Sequence, residues 1–400
     1  VNRILFFIII AQFFTTSIWF ASNAIIPDLA KDLENSDGLL TKLSIATQLG
    51  FIMGTLSFAI SAIVDRFSPS KVFFISALLG GICNLTLVVD GQNQVHYILF
   101  RFLVGFFLAG VYPVGMKIAA DHFSSNLGKS LGFLVAALVL GTAFPHLLKT
   151  VQNVFPWEYL IYSTSSLAII GACIIFLLVP DGQYRKKMQD FQISAFFHGF
   201  KSQQFRESAF GYFGHMWELY TFWTFLPFLI QSYFVYHNYK LDEVSLSILA
   251  FGIISIGSIA CILAGFLSQS LGAKFTANLF LAISAISCFL FPLFFYFSSS
   301  WIYLSFLFVW GFAVIADSPM FSTLVANHSP EDKKGSSITI VNCIGFALTI
   351  LSIKIFDFVI SYWNPVYSVL ILGIGPFLGL FYFFQSRFLL LNSINKIHFK

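Results

Sequence analysis

About a dozen long apolar segments follow one another along this chain, separated by short polar turns, and no water-soluble fold buries so many. A helix crossing a hydrocarbon core of roughly 30 Å needs about 20 apolar residues. The segments 4–27, 39–63, 72–89, 96–120, 129–148, 158–180, 207–236, 244–269, 275–296, 300–325, 335–360 and 364–391 meet or approach that length. Hydrophobic residues make up 58% of the chain and charged ones only 10%, with a mean hydropathy of +0.83. A soluble domain of 400 residues could not cover its surface with so few charges. The expected fold class is therefore an all-α membrane protein with twelve transmembrane helices. The 52 Phe residues read as lipid-facing and packing bulk.

Several function classes fall away at once. The net charge of +4 is scattered over short loops and forms no nucleic-acid footprint. Cys83, Cys173, Cys261, Cys288 and Cys343 all lie within apolar segments at no metal-binding spacing, so no metal and no cofactor is expected. Neither a phosphate-cradling glycine loop ending in Lys-Ser/Thr nor a His-Glu-x-x-His pair occurs, which argues against ATP drive and against an enzyme.

With the N-terminus in the cytoplasm, Arg3, Arg66, Lys71, Lys117, Lys129, Arg185, Lys186, Lys187, Lys201, Arg206, Lys274, Lys333, Lys334, Arg387, Lys396 and Lys400 fall inside. Only Lys31, Lys42, Arg101, Lys149, Lys240 and Lys354 fall outside. The bias follows the positive-inside rule and puts both termini in the cytoplasm, with a bacterial inner membrane as the expected location. Arg3, an apolar run and Ala21-Ser22-Asn23-Ala24 also have the makings of a cleaved signal peptide. The length of the segment, with Trp19 and Asn23 near its far end, favours a retained first helix.

The longest polar interval splits the chain into a six-helix bundle at 1–180, a cytoplasmic linker at 181–206 and a second bundle at 207–400. Weak likeness recurs between the halves at offsets of 204 to 207 residues. Tyr112-Pro113 stands opposite Ser318-Pro319, and Gly128 opposite Gly335. Paired halves of this kind surround a central site near the bilayer midplane in transporters.

The turn after the second segment reads Asp65-Arg66-Phe67-Ser68-Pro69-Ser70-Lys71. It resembles the cytoplasmic motif of the major facilitator superfamily, with Ser61 and Ser68 in place of two glycines. Arg101, Gly105 and Gly110 are similar to that family's fourth-helix motif, and Gly132, Gly141 and Pro145 partly match its fifth. In the second half Gln269 and Ser270 replace the Asp and Arg. Strings such as Gly214-His215-Met216-Trp217-Glu218 look like a bacterial subfamily loosely grouped with nitrate/nitrite transporters and cyanate permeases. The resemblance implies a major facilitator fold, alternating access, and a gating role for Asp65, Arg66 and Lys71.

Ionisable residues inside a membrane are costly, so each is a functional candidate. Arg101 shares a helical face with Gly105, Leu108 and Tyr112. Its guanidinium suits an oxyanion or carboxylate; pinning a neighbouring helix is the alternative. Gly211, Gly214, His215 and Glu218 share one face of the seventh segment, where His215 and Glu218 could relay a proton, or form a structural pair. Asp317 lies in an apolar run just before Ser318-Pro319, where proline frees a carbonyl and bends a helix. Asp317, His215 and Glu218 are thus the proton-coupling candidates, or else hydrogen-bonded core residues. Arg101, Tyr112, Trp19, Asn23, Trp217 and Trp223 are the substrate-binding ones. The expected protein is a secondary transporter of a small polar solute, an anion by the evidence of Arg101 and the basic residue balance, coupled to protons in symport or antiport. Its partners are the solute, protons and the lipid bilayer. The alternatives are a drug or metabolite efflux carrier and a non-transporting receptor or assembly factor on the same scaffold.

Overall fold

A computed structural model describes residues 3–385 except 32, 34, 35, 90, 124–126, 152, 153, 186–190, 193 and 331–333. Lys186, Lys187, Lys333, Arg387, Lys396 and Lys400 of the basic set, and the end of the last expected segment, lie outside the described residues.

The described chain is helical throughout: α1 (Arg3–Thr16), α2 (Leu39–Ile60), α3 (Pro69–Leu85), α4 (Gln94–Leu108), α5 (Tyr112–His122), α6 (Leu127–Lys149) and α7 (Glu158–Leu178) precede the linker. After it come α8 (Gln203–Tyr236), α9 (Glu243–Leu271), α10 (Ala273–Phe295), α11 (Ser300–Ala316), α12 (Ser318–His328), α13 (Lys334–Tyr362) and α14 (Pro365–Gln385). Taking α4 with α5 and α11 with α12, ten helices are long and apolar enough to cross a membrane. α1 is apolar but has 14 residues; α8 has 34 and carries Arg206, Glu207, His215 and Glu218. Apolar side chains such as Ile259, Leu263 and Phe266 on α9, and Phe377, Leu378, Phe381 and Phe384 on α14, stay exposed, as a lipid-facing surface requires.

Helix ends follow local chemistry. Ser68 caps α3, whose first residue is Pro69, and Asn93 caps α4. Asp242 caps α9, where the Ser245 N–H and hydroxyl both donate to its carboxylate and hold it below the usual range.

The first expected segment is not one helix. α1 stops at Thr16, and a short turn Ala21–Ala24 follows a break. Thr15, Thr16 and Ser17 donate back to the carbonyls of Ala11, Gln12 and Phe14 at 2.7, 2.8 and 2.7 Å, which weakens the helical ladder there. The fourth and tenth segments break as well, before Pro113 and Pro319. Pro319 cannot donate to the Ile315 carbonyl, which instead accepts a contact from the Cys261 thiol at 3.6 Å.

Glycines set the closest crossings. A Cβ on Gly105 would overlap the Thr47 carbonyl, so α4 lies directly against α2. At the repeat offset, a Cβ on Gly311 would overlap the Ile253 carbonyl where α11 crosses α9. Small residues permit this approach in lipid, where packing replaces hydrophobic drive. Two further contacts join chain before the linker to chain after it: α6 runs along α9, and α2 along α13.

Candidate functional site

The strongest concentration of buried charge lies where α8 meets the α11–α12 joint. His215 Nδ1 stands 2.8 Å from Asp317 Oδ1, and both side chains are sealed from solvent. The approach is too far off line for a ring N–H bond, so this is a close pair rather than an aligned hydrogen bond. Among the described residues, His215 Nε2 and Asp317 Oδ2 have no hydrogen-bond partner either. Four buried polar atoms without aligned partners are an expensive arrangement for a fold to keep.

Glu218 is one turn along α8 and fully buried, but it is well satisfied. Its Oε1 accepts from Ser284 at 2.5 Å, Trp310 Nε1 at 2.6 Å and Cys288 at 3.2 Å. These donors come from α10 and α11, so Glu218 ties the helices of its own half together. His215 meets Asp317, whereas Glu218, the relay partner expected for His215, stands beside them with donors of its own.

Arg101 is completely buried in a different way. Its Nη1 donates to the Ile18 carbonyl at 2.9 Å and to Asn84 Oδ1 at 3.2 Å, and Nη2 donates to the Trp19 carbonyl. Asn84 in turn donates to Thr164 at 3.2 Å and Ser165 at 2.9 Å. The guanidinium thus binds the exposed carbonyls of the break after α1. Of the two roles open to it, pinning a neighbouring helix is the one this geometry displays.

The remaining expected binding residues separate. Trp19 and Trp223 meet in one aromatic cluster through Phe20 and Tyr220. Tyr112 is partly buried at the start of α5. Asn23 donates to Ser44 at 3.1 Å on α2. Trp217 donates from Nε1 to the Ile371 carbonyl at 2.9 Å and packs against Gly375, so its indole is committed to the last helix.

At the end of the bundle carrying the α2–α3 turn, Asp65 pairs with Lys117 at 3.0 Å. Arg185 donates to the carbonyls of Asp65 and Phe67 at 2.8 and 2.7 Å, and pairs with Asp181 at 3.2 Å. Ser68 also donates to Asp181, at 2.6 Å. Arg66 and Lys71 are exposed beside this network. Sequence reasoning missed Lys117, Arg185 and Asp181 as partners of the turn, because nothing local links residues so far apart in the chain.

The chain matches the family model of the Major Facilitator Superfamily over residues 8–353. No curated protein sequence matches it. Among solved structures it is similar to the proton:xylose symporter XylE bound to 6-bromo-6-deoxy-D-glucose, at 13% identity, with a TM-score of 0.73 and 96% of each chain covered. It is also similar to the human organic anion transporter MFSD10 (TETRAN), at 14% identity and a TM-score of 0.74, covering 96% of this chain and 98% of that one. At such identities the likeness is one of fold, while the family match extends over most of the sequence. This integral membrane protein therefore belongs to the Major Facilitator Superfamily of secondary transporters.

Proposed function

We propose that the chain is a secondary active carrier of a small polar solute, working by alternating access and driven by protons taken up at the His215–Asp317 pair. One observation carries this reading: an imidazole and a carboxylate 2.8 Å apart, both sealed from solvent, where α8 meets the joint of two half-helices. Such a pair changes its interactions strongly when a proton arrives or leaves. It sits at the joint of α11 and α12, where a change in charge can act on helix geometry.

In this reading α1 and α8 complete twelve spans, grouped as 1–180 and 207–400 around the linker 181–206. The basic loops put both termini in the cytoplasm of a bacterial inner membrane. Asp65 and Lys117, with Arg66 and Lys71 nearby, belong to the cytoplasmic gate. The expected anionic cargo rested on Arg101 and on the basic residue balance, and the Arg101 guanidinium is bound to the backbone of the break after α1. The cargo assigned is therefore a neutral or cationic polar solute, with Tyr112, Trp19 and Trp223 shaping its site. Export of a cation against protons at Asp317 is the second reading, favoured by two buried carboxylates set against one imidazole.

A thermal-shift screen over sugars, cationic amines, organic acids and inorganic anions finds the cargo class. A ligand at a hundred times its dissociation constant should add about 2.7 kcal/mol of stability. In proteoliposomes, Asp317→Asn should abolish accumulation driven by a pH gradient while leaving downhill exchange of the same solute. Undiminished accumulation in that variant would refute the coupling assignment. Stabilisation by anions alone, lost in Arg101→Ala, would restore the anionic cargo. Binding without flux would favour the non-transporting alternative.

A further inference from the structure

Three rings from before the linker, Trp19, Phe20 and Phe51, face three from after it, Tyr220, Trp223 and Phe346. Trp19 stacks on Tyr220 at 5.6 Å and 20°, and Phe20 lies parallel to the same ring at 6.4 Å and 3°. Phe20 meets Trp223 edge-on at 6.3 Å, and Phe51 meets Phe346 at 4.4 Å. None of the six is more than 5% exposed. Tyr220 lies roughly 7.5 Å along α8 from His215, towards the Tyr236 end. At that end Gly38 of the α2 entry sits beside Asp357 of α13. The rings therefore lie between the His215–Asp317 pair and that membrane face, across a seam that alternating access must open.

Trp19 and Phe20 are not held by a regular helix. They occupy the break after α1, whose exposed carbonyls at Ile18 and Trp19 are taken by Arg101. Arg101 is steadied by Asn84, and Asn84 by Thr164 and Ser165 of α7. The chain of contacts runs from α7 through α3 and α4 to the backbone that presents the rings.

We propose that Asn84, acting through Arg101, is a positioning residue that holds the break after α1 so that Trp19 and Phe20 close an aromatic seal against Tyr220, Trp223 and Phe346. The proposal rests on the carrier reading, because a seal matters only if the seam opens. It needs neither the cargo nor the coupling ion.

The native Cys343 thiol, one turn from Phe346 on the sheltered side, is the reporter. The full-length protein in sealed vesicles is treated with a membrane-impermeant maleimide from the Tyr236 face and from the opposite face separately. Labelling of Cys343 is read by mass spectrometry. If the open state is a minor population of about 1–10% in the native protein, Trp19→Ala and Asn84→Ala should each raise labelling from the Tyr236 face about tenfold or more. Asn84→Asp keeps an acceptor oxygen facing Arg101 and replaces the amide donor by a second oxygen, to which the Ser165 hydroxyl can turn and donate, and should return labelling to near the native rate. A purely structural role would not give this one-sided rise and rescue. Native rates in both alanine variants overturn the seal. A rise with Trp19→Ala but not Asn84→Ala overturns the positioning role. Should Asn84→Ala fail to fold, Ser165→Ala removes one of Asn84's acceptors, and an unchanged rate there overturns the same assignment. Loss of proton coupling in a flux assay leaves these rates unaffected, so the two readings fail separately.

Discussion

At the repeat offset, Gln12 of α1 corresponds to Glu218 of α8, Asn84 to Leu290 and Arg101 to Leu307. The first half thus buries a neutral amide and a guanidinium where the second half buries a carboxylate and a leucine. Its fully buried guanidinium, Arg101, is bonded to backbone carbonyls and to an amide, groups that do not titrate. In the second half His215, Glu218 and Asp317 are buried near one another, while buried Glu207 pairs with Lys274; among the described residues the His215–Asp317 pair has no aligned bonds. At these equivalent positions the same scaffold, copied twice, carries groups that do not titrate in one half and a carboxylate in the other, although the first half buries His146, Asp121 and Asp28 elsewhere. That division suits a carrier in which one half presents the gate and the other responds to the coupling ion.

Substitutions that swap the halves' choices should sharpen this contrast or break it. Arg101→Leu, which imports the second half's residue, has the largest expected effect. It strips donors from the Ile18 and Trp19 carbonyls and from Asn84, and unsatisfied buried acceptors cost about 1–3 kcal/mol each. A loss of about 3 kcal/mol or more should appear in detergent unfolding, and an unchanged midpoint would mean the pin holds nothing.

The glycine crossings test what the halves share. Gly105→Ala and Gly311→Ala each force a Cβ onto a carbonyl of the facing helix, a misfit worth about 1–3 kcal/mol. The two losses should be similar, whereas Gly265→Ala, with nothing near its missing Cβ, should be silent. Unequal losses at Gly105 and Gly311 would show that the repeat is not one of packing.

The smallest effects come from the Gln12 and Glu218 pair. Glu218→Gln weakens the charge-assisted bonds from Ser284 and Trp310 and should cost about 1–2 kcal/mol. Gln12→Leu should stay within about 0.5 kcal/mol of the native protein, because both amide atoms of Gln12 are buried without a hydrogen-bond partner among the described residues. A large loss on Gln12→Leu would reveal a bond made in another conformation of the cycle.

Most of the apolar segments, the joint at Pro319, and the Asp65 turn were readable in advance, because each depends on residues adjacent in the chain. Proline removes a donor wherever it stands, and a run of apolar residues seeks lipid whatever its neighbours are. The break after α1 was not readable: Thr15, Thr16 and Ser17 weaken the helix, but the Arg101 donors that stabilise the freed carbonyls arrive from α4. The aromatic seal was equally hidden. Phe51 and Phe346 are two among 52 phenylalanines, and only the meeting of α2 with α13 sets them apart.

By itself, then, the amino-acid sequence determined that the chain lives in a membrane, where most of its helices run, and which ionisable residues fall in apolar segments. Hydropathy and local backbone chemistry act within a few residues and need no partner. Tertiary structure alone decided that Asp317 faces His215, that Trp217 turns to the last helix, and that Arg101 grips the first. A buried polar side chain has several partners it could satisfy, and which one it reaches depends on helices 82 to 154 residues away in the chain.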